Sequence, residues 1–213
     1  ENKQNEHKEE IKKPQDHSGV MMTGHIKIFD PETGEVIVDK SNAIHYENMS
    51  IALAESIANA GQGNIFEMSF GNGGTAVDPT GIITYLTPNS TGTNAGLYNQ
   101  TFSKVVDDRS TENLDPLRNK IETRHVTGVN YTDIVVSCLL DYGEPEGQDA
   151  FDNSTDTEAL FVFDELGLKA KRITGDNLLV THVIFHPVQK SLNRLIQIDY
   201  TVRIQSLSGG GEV

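Results

Sequence analysis

The residues of this 213-residue chain with the means to do chemistry are seven histidines, one cysteine and a large excess of carboxylates. His182 and His186 lie four apart and share a face if their segment is a strand, which is the beginning of a metal site. Pro187 follows them, and no carboxylate stands where a His-Glu-x-x-His helix needs one. His25, His45 and His125 are scattered, so the pair has no third ligand at recognisable spacing. Asp152, Ser154, Asp156 and Glu158 alternate like the opening oxygen ligands of a calcium loop. That loop requires Gly at its sixth position and Glu at its twelfth, where this chain has Thr157 and Phe163. The reading is a solvated acidic loop, which Asp141, Glu144, Glu146 and Asp149 could join in space.

Phe70-Gly71-Asn72-Gly73-Gly74-Thr75 follows an apolar run, as a phosphate-cradling loop does, but the chain continues as loop through Ala76–Gly81 and opens no helix. A tight turn is the reading. Cys138 lies within the apolar run Ile134–Leu140, where a thiol stays protonated and inert. No Gly-x-Ser-x-Gly elbow nominates a serine, and the many carboxylates nominate no glycosidase pair. The sequence therefore offers no catalytic, cofactor-binding or metal-binding residue, and the expected class is non-enzymatic. The Asn-x-Ser/Thr triplets at Asn48, Asn89, Asn99, Asn130 and Asn153 are the chance yield of a chain rich in Asn and Thr.

The elements around these residues are mostly strands. Gly24–Asp30 and Glu35–Asp39 flank the turn Asp30-Pro31-Glu32-Thr33-Gly34, which reads as a hairpin. Met49, Leu53, Ile57 and Ala60 recur at helical spacing, with Asn42 or Asn48 as the cap and Gly61 after the end. From Asn64 the period becomes two. Strands are predicted over 65–70, 81–86, 98–106, 119–127, 131–140, 160–168, 178–185 and 195–204. In the last, Ile196, Ile198, Tyr200, Val202 and Ile204 alternate with polar residues, the mark of a half-buried antiparallel strand. The predicted fold is mainly β, an antiparallel sandwich-like core with one packed helix and an N-terminal hairpin. Residues 1–23 are predicted to be a flexible arm, 24–207 one β-rich domain and 208–213 a Gly-rich tail.

Composition narrows the function further. A formal charge of −14, from 31 acidic and 17 basic residues, repels a phosphate backbone and argues against nucleic-acid partners. No apolar run approaches the roughly 18 residues that span a bilayer. With one cysteine the fold must stand without an internal disulfide, as suits a reducing cytoplasm. Glu1–Gly19 holds one aliphatic residue, Ile11, and lacks the apolar centre of a secretory signal.

One resemblance extends along most of the chain. Gly24-His25-Ile26-Lys27-Ile28-Phe29-Asp30 leads to Thr33-Gly34-Glu35-Val36 and Asn42-Ala43-Ile44. Ile65-Phe66-Glu67-Met68-Ser69-Phe70-Gly71-Asn72-Gly73, Asp78-Pro79-Thr80 and Phe163-Asp164-Glu165-Leu166-Gly167-Leu168 follow, and Ile198-Asp199-Tyr200-Thr201-Val202 closes the series. The order of these segments resembles a widespread group of tailed-bacteriophage virion structural proteins, of the tail- or fibre-associated, myovirus-like type. That resemblance implies a non-enzymatic subunit of the virion, assembled in the host bacterial cytoplasm. It implies a homo-oligomer whose partners are other virion proteins at the tail, neck or fibre attachment, with no small-molecule substrate and no membrane. Capsid decoration is the alternative position. A receptor- or carbohydrate-binding module, stacking sugar on Tyr85, Tyr98 or Tyr131, is the alternative function. Lys8–Val20, Thr87–Gly96 and Asp141–Glu158 are the expected contact segments.

Overall fold

The computed structural model describes residues 19–92, 95–145 and 160–207. Its strands are β1 (Gly19–Phe29), β2 (Val36–Ile44), β3 (Ile65–Gly71), β4 (Thr75–Val77), β5 (Ile83–Tyr85) and β6 (Gln100–Val105). They continue with β7 (Lys120–His125), β8 (Tyr131–Leu140), β9 (Leu160–Ala170), β10 (Leu178–Leu179), β11 (Thr181–Ser191) and β12 (Ile196–Leu207). The helix is α1 (Tyr46–Ile57). One antiparallel sheet runs β6-β3-β9-β11-β2-β1-β12-β8-β7, with β10 on β9, while β4 and β5 pair apart from it.

The fold is mainly β: the sheet curls around a sandwich-like core, with one helix. Period-two alternation produces this. Ile26 and Ile28 of β1, Val136 and Cys138 of β8, and Ile198 and Tyr200 of β12 are all buried on the same side. Against them come Met68 and Phe70 of β3, Phe163 of β9 and Phe185 of β11. Phe163 meets Phe70 edge-on at 5.4 Å, Phe185 edge-on at 5.7 Å and stacks on Phe161 at 5.0 Å between ring centroids. Burying each such ring contributes roughly 1.5–3 kcal/mol. The curl brings β6 toward β8, where Lys104 Nζ donates to Leu139 O at 2.7 Å.

The β1–β2 turn forms because Asp30 caps it: its carboxylate accepts from the N–H groups of Glu32 and Thr33, and Gly34 takes φ 76°. Two features depart from the sequence reading at the start of the chain. β1 begins at Gly19, so Gly19–Thr23, predicted as arm, is strand paired with Arg203–Leu207. The helix cap is His45, whose Nδ1 accepts from Asn48 N at 3.3 Å, and neither Asn42 nor Asn48 caps it. Helix α1 ends at Ile57, which is exposed, and Ala60 lies beyond it. Ala76–Gly81, predicted as loop, contributes β4. β11 runs through Pro187 because the β9–β11 register shifts between Ile184 and Val188, and a bulge tolerates a residue without an N–H. Glu1–Ser18 and Ser208–Val213 lie outside the described residues.

Candidate functional site

The glycine-rich turn gathers anions after all, and they are the protein's own. Asp164 and Glu165 sit in the middle of β9, both buried, where an unpaired carboxylate would cost several kcal/mol. Asp164 accepts from Gly74 N and Thr75 N, each at 2.9 Å, and from the Thr75 hydroxyl. Glu165 Oε1 accepts from Gly73 N at 3.1 Å and Asn99 N at 2.8 Å; Oε2 accepts from Tyr98 N at 2.9 Å and faces His182 Nε2 at 3.0 Å. The other imidazole nitrogen, Nδ1, accepts from Asn89 N at 2.8 Å, which places the proton on Nε2 and makes the ring a neutral donor to Glu165. Burial alone would raise the Glu165 carboxyl. The hydrogen bonds from His182, Asn99, Tyr98 and Gly73 outweigh it and hold the group below the usual carboxylate range.

These two carboxylates and one imidazole thus bind the segment between β3 and β6 at Gly73, Gly74, Thr75, Asn89, Tyr98 and Asn99. No space remains for side chains at the contact. A Cβ on Gly74 would lie 2.9 Å from Ile184 Cγ2, and one on Gly71 would lie 2.5 Å from both Asn99 O and Glu165 Oε1. Outward, the same segment shows solvent Val77, Ile82, Tyr85 and Leu86. Tyr98 donates its hydroxyl to Thr87 O at 2.7 Å and Tyr85 stands 3.3 Å from His186 Nδ1.

A second connection, between β6 and β7, is held the same way. Buried Asn113 donates to Asp107 O and Asn119 O, at 3.3 and 2.8 Å, and buried Asn119 accepts from Leu139 N at 2.9 Å. On this fastened loop Leu114 and Leu117 are 97 % and 85 % exposed. A third anchor is Lys190, 1 % exposed, whose ammonium donates to Asp141 O, Glu144 O and Ser191 O at 2.8–2.9 Å. Burial pushes it down to about 8, against the pull of Glu144 and Asp141.

The structure separates the two histidines: His182 is enclosed beside Glu165, while the shifted register leaves His186 exposed at Tyr85. His25 pairs with Asp39 at 2.7 Å, His45 caps α1 and His125 lies 3.1 Å from Tyr131 O. Among the described residues, no group of three or more His, Cys, Asp or Glu is placed to hold a metal ion. Asp141 pairs with Arg118 at 2.5 Å and Glu144 with Lys104, while Glu146, Asp149 and Asp152–Glu158 lie outside the described residues. Cys138 is fully buried, and burial pushes its thiol up to about 12. Tyr131 packs under Arg203 at 3.8 Å, whereas Tyr85 and Tyr98 are half exposed.

Of the expected contact segments, Thr87–Gly96 lies within the connection between β3 and β6, held at Asn89 and described except for residues 93–94, Lys8–Val20 is described only from Gly19, and Asp141–Glu158 only as far as Pro145. The sequence reading missed the Asp164–Glu165–His182 cluster and the two leucines. Two adjacent carboxylates inside the apolar run 160–168 were the available signal, because buried charges require partners. Comparison of the chain with protein-family models, with curated proteins and with solved structures finds no match.

Proposed function

We propose that the protein is a non-enzymatic structural subunit of a tailed-bacteriophage particle, at the tail, neck or fibre attachment, working through protein–protein contacts. The observation that carries the reading is the pair Leu114 and Leu117, almost wholly exposed on a loop whose backbone is fixed by buried asparagines. A mobile loop loses conformational entropy on binding, whereas a fastened one presents its apolar side chains at little further cost. The buried carboxylates support the same reading, since the hydrogen bonds of Asp164 and Glu165 hold the neighbouring loop in place. The order of sequence segments supplies the phage context.

The test is electron microscopy of phage particles carrying a label on the C-terminus of this chain. Label confined to the tail, neck or fibre attachment supports the proposal, label spread over the capsid replaces it with decoration, and unlabelled particles overturn it. Leu114→Ser with Leu117→Ser should lower incorporation at least ten-fold while leaving the thermal midpoint of the isolated protein within about 2 °C. Those residues are exposed, and surface substitutions usually stay within about 0.5 kcal/mol.

A further inference from the structure

β1 is longer than the strand that covers it. All 11 of its residues pair with β12, but β2 covers only Gly24–Phe29. The cause is local: at Ala43 and Ile44, β2 leaves β1, pairs with His182 and Thr181 of β11, and then turns into α1. No described strand pairs with that side of Gly19–Thr23, so its alternate N–H and C=O groups face outward. Beside this open edge runs a groove of about 570 Å³ lined by Val20, Met22, Tyr46, Met49, Leu53 and Leu207, among others, and none of its lining residues is charged. Val20 and Tyr46 are 60 % and 73 % exposed.

Gly19 and Leu207 pair at the end of this edge, and of the flanking sequence residues 1–18 contain one aliphatic side chain, Ile11, and residues 208–213 one, Val213. In a protein of net charge −14, a neutral apolar edge is also where a second copy meets least repulsion. We propose that two copies join here, their Gly19–Thr23 edges pairing antiparallel about a two-fold axis so that two sheets become one. This rests on the reading of the protein as an assembly subunit and names the surface, partner and register.

Symmetry and pleat fix that register. Antiparallel pairing keeps i + j constant, and opposed residues must share a sheet face. Val20 and Met22 share the core-side parity of Ile26 and Ile28, whereas Met21 and Thr23 have the opposite parity, so i + j is even. Among even sums, the one that aligns the whole of Gly19–Thr23 sets Met21 opposite its own copy and Val20 opposite the partner's Met22. Edge pairing of this kind is isologous and closes at two.

Opposed Cα atoms across an antiparallel pair lie about 4.5–5.5 Å apart, within disulfide reach. Met21→Cys should therefore give a covalent dimer under mild oxidation at least ten-fold faster than Ile173→Cys, at a site 68 % exposed and away from the groove. Equal rates, or no dimer, would overturn the pairing. Met21→Lys sets two ammonium groups face to face and should weaken dimerisation at least ten-fold in analytical ultracentrifugation, with an unchanged thermal midpoint at protein concentrations where the wild type is monomeric. Undiminished dimerisation of that variant also overturns it. Particle labelling separates this from the broader reading: incorporation without cross-linking refutes the paired edge alone, while cross-linking without incorporation refutes the phage assignment and leaves the paired edge standing.

Discussion

Replacing Glu165 by Gln changes almost nothing in shape and reverses the hydrogen-bonding sense of one atom. If the amide oxygen takes the place of Oε1, Gly73 and Asn99 keep their acceptor, but the amide NH₂ then points at the Tyr98 N–H and at His182 Nε2, both donors. The opposite orientation loses the other pair instead. Turning the imidazole to its other tautomer offers no escape, because a proton on Nδ1 would face the Asn89 N–H. Two hydrogen bonds to a charged group are lost in either case, at about 1.5–3 kcal/mol each, so Glu165→Gln should destabilise by about 3–6 kcal/mol. With a urea slope near 2 kcal/mol/M, the midpoint should fall by about 1.5–3 M. Hydrogen exchange should quicken first at the Tyr98 and Asn89 amides. The carboxyl is held below its usual range, so its stabilising contribution is complete above the unfolded pKa near 4.3 and disappears as pH falls through the folded value. The gap between wild type and variant should therefore close in acid. A midpoint within about 0.3 M of wild type at pH 7, or a gap unchanged in acid, would refute the account of how this loop is held.

Lys190→Met should free the carbonyls of Asp141 and Glu144 and expose that turn to limited proteolysis. Because folding lowers the ammonium to about 8, the unfolded chain holds the extra proton above that pH, so wild-type stability should rise from about pH 8 to the unfolded value near 10.4. The Met variant should lack that rise, as urea titrations at stepped pH will show. Gly167→Ala should destabilise by about 1–3 kcal/mol, since its Cβ would lie 2.6 Å from Thr181 O and 2.5 Å from Leu179 Cδ1; thermal melts measure it. Cys138, buried with its thiol raised to about 12, should react with an aromatic disulfide reagent only as fast as the protein opens. A rate that follows reagent concentration without limit would contradict its burial.

Most of the sheet was legible because period-two alternation survives in single strands: residues 131–140 were placed to the residue, and β12 extends its predicted segment only at the end. What escaped depended on distant partners. Gly19–Thr23 reads as arm because its apolar residues meet β12, about 180 positions away, and only that ladder makes them a strand. His45 is an uncommon cap and serves here through an imidazole nitrogen held in the interior beside Val180 O, which accepts from its own N–H at 3.0 Å. The Asp164–Glu165–His182 cluster was hidden for a related reason. Apart from the Thr75 hydroxyl and the His182 ring, its donors are backbone N–H groups, of Gly73, Gly74, Thr75, Tyr98 and Asn99 for the carboxylates and of Asn89 for the imidazole, and a main-chain donor leaves no mark in the residue types.

Charge placement bears on whether two copies of this chain can meet as proposed. Residues 146–159 alone carry Glu146, Asp149, Asp152, Asp156 and Glu158 with no Lys or Arg, five of the net 14 negative charges. Within the described residues several surface carboxylates are matched locally, Glu122 by Lys120 and Arg124, Asp133 by Arg203 and Asp141 by Arg118. Two copies brought together therefore repel through their net negative charge, while the proposed contact at the β1 groove would involve no charged side chain. Added salt shortens the screening length from about 30 Å at 0.01 M to about 8 Å at 0.15 M, which weakens the repulsion and leaves apolar contact and backbone pairing in place. Dimerisation should strengthen across that range, as sedimentation at several protein concentrations will measure. An interface built on opposite charges would respond the other way, so association that weakens with salt would move the contact from the neutral edge to the charged loops.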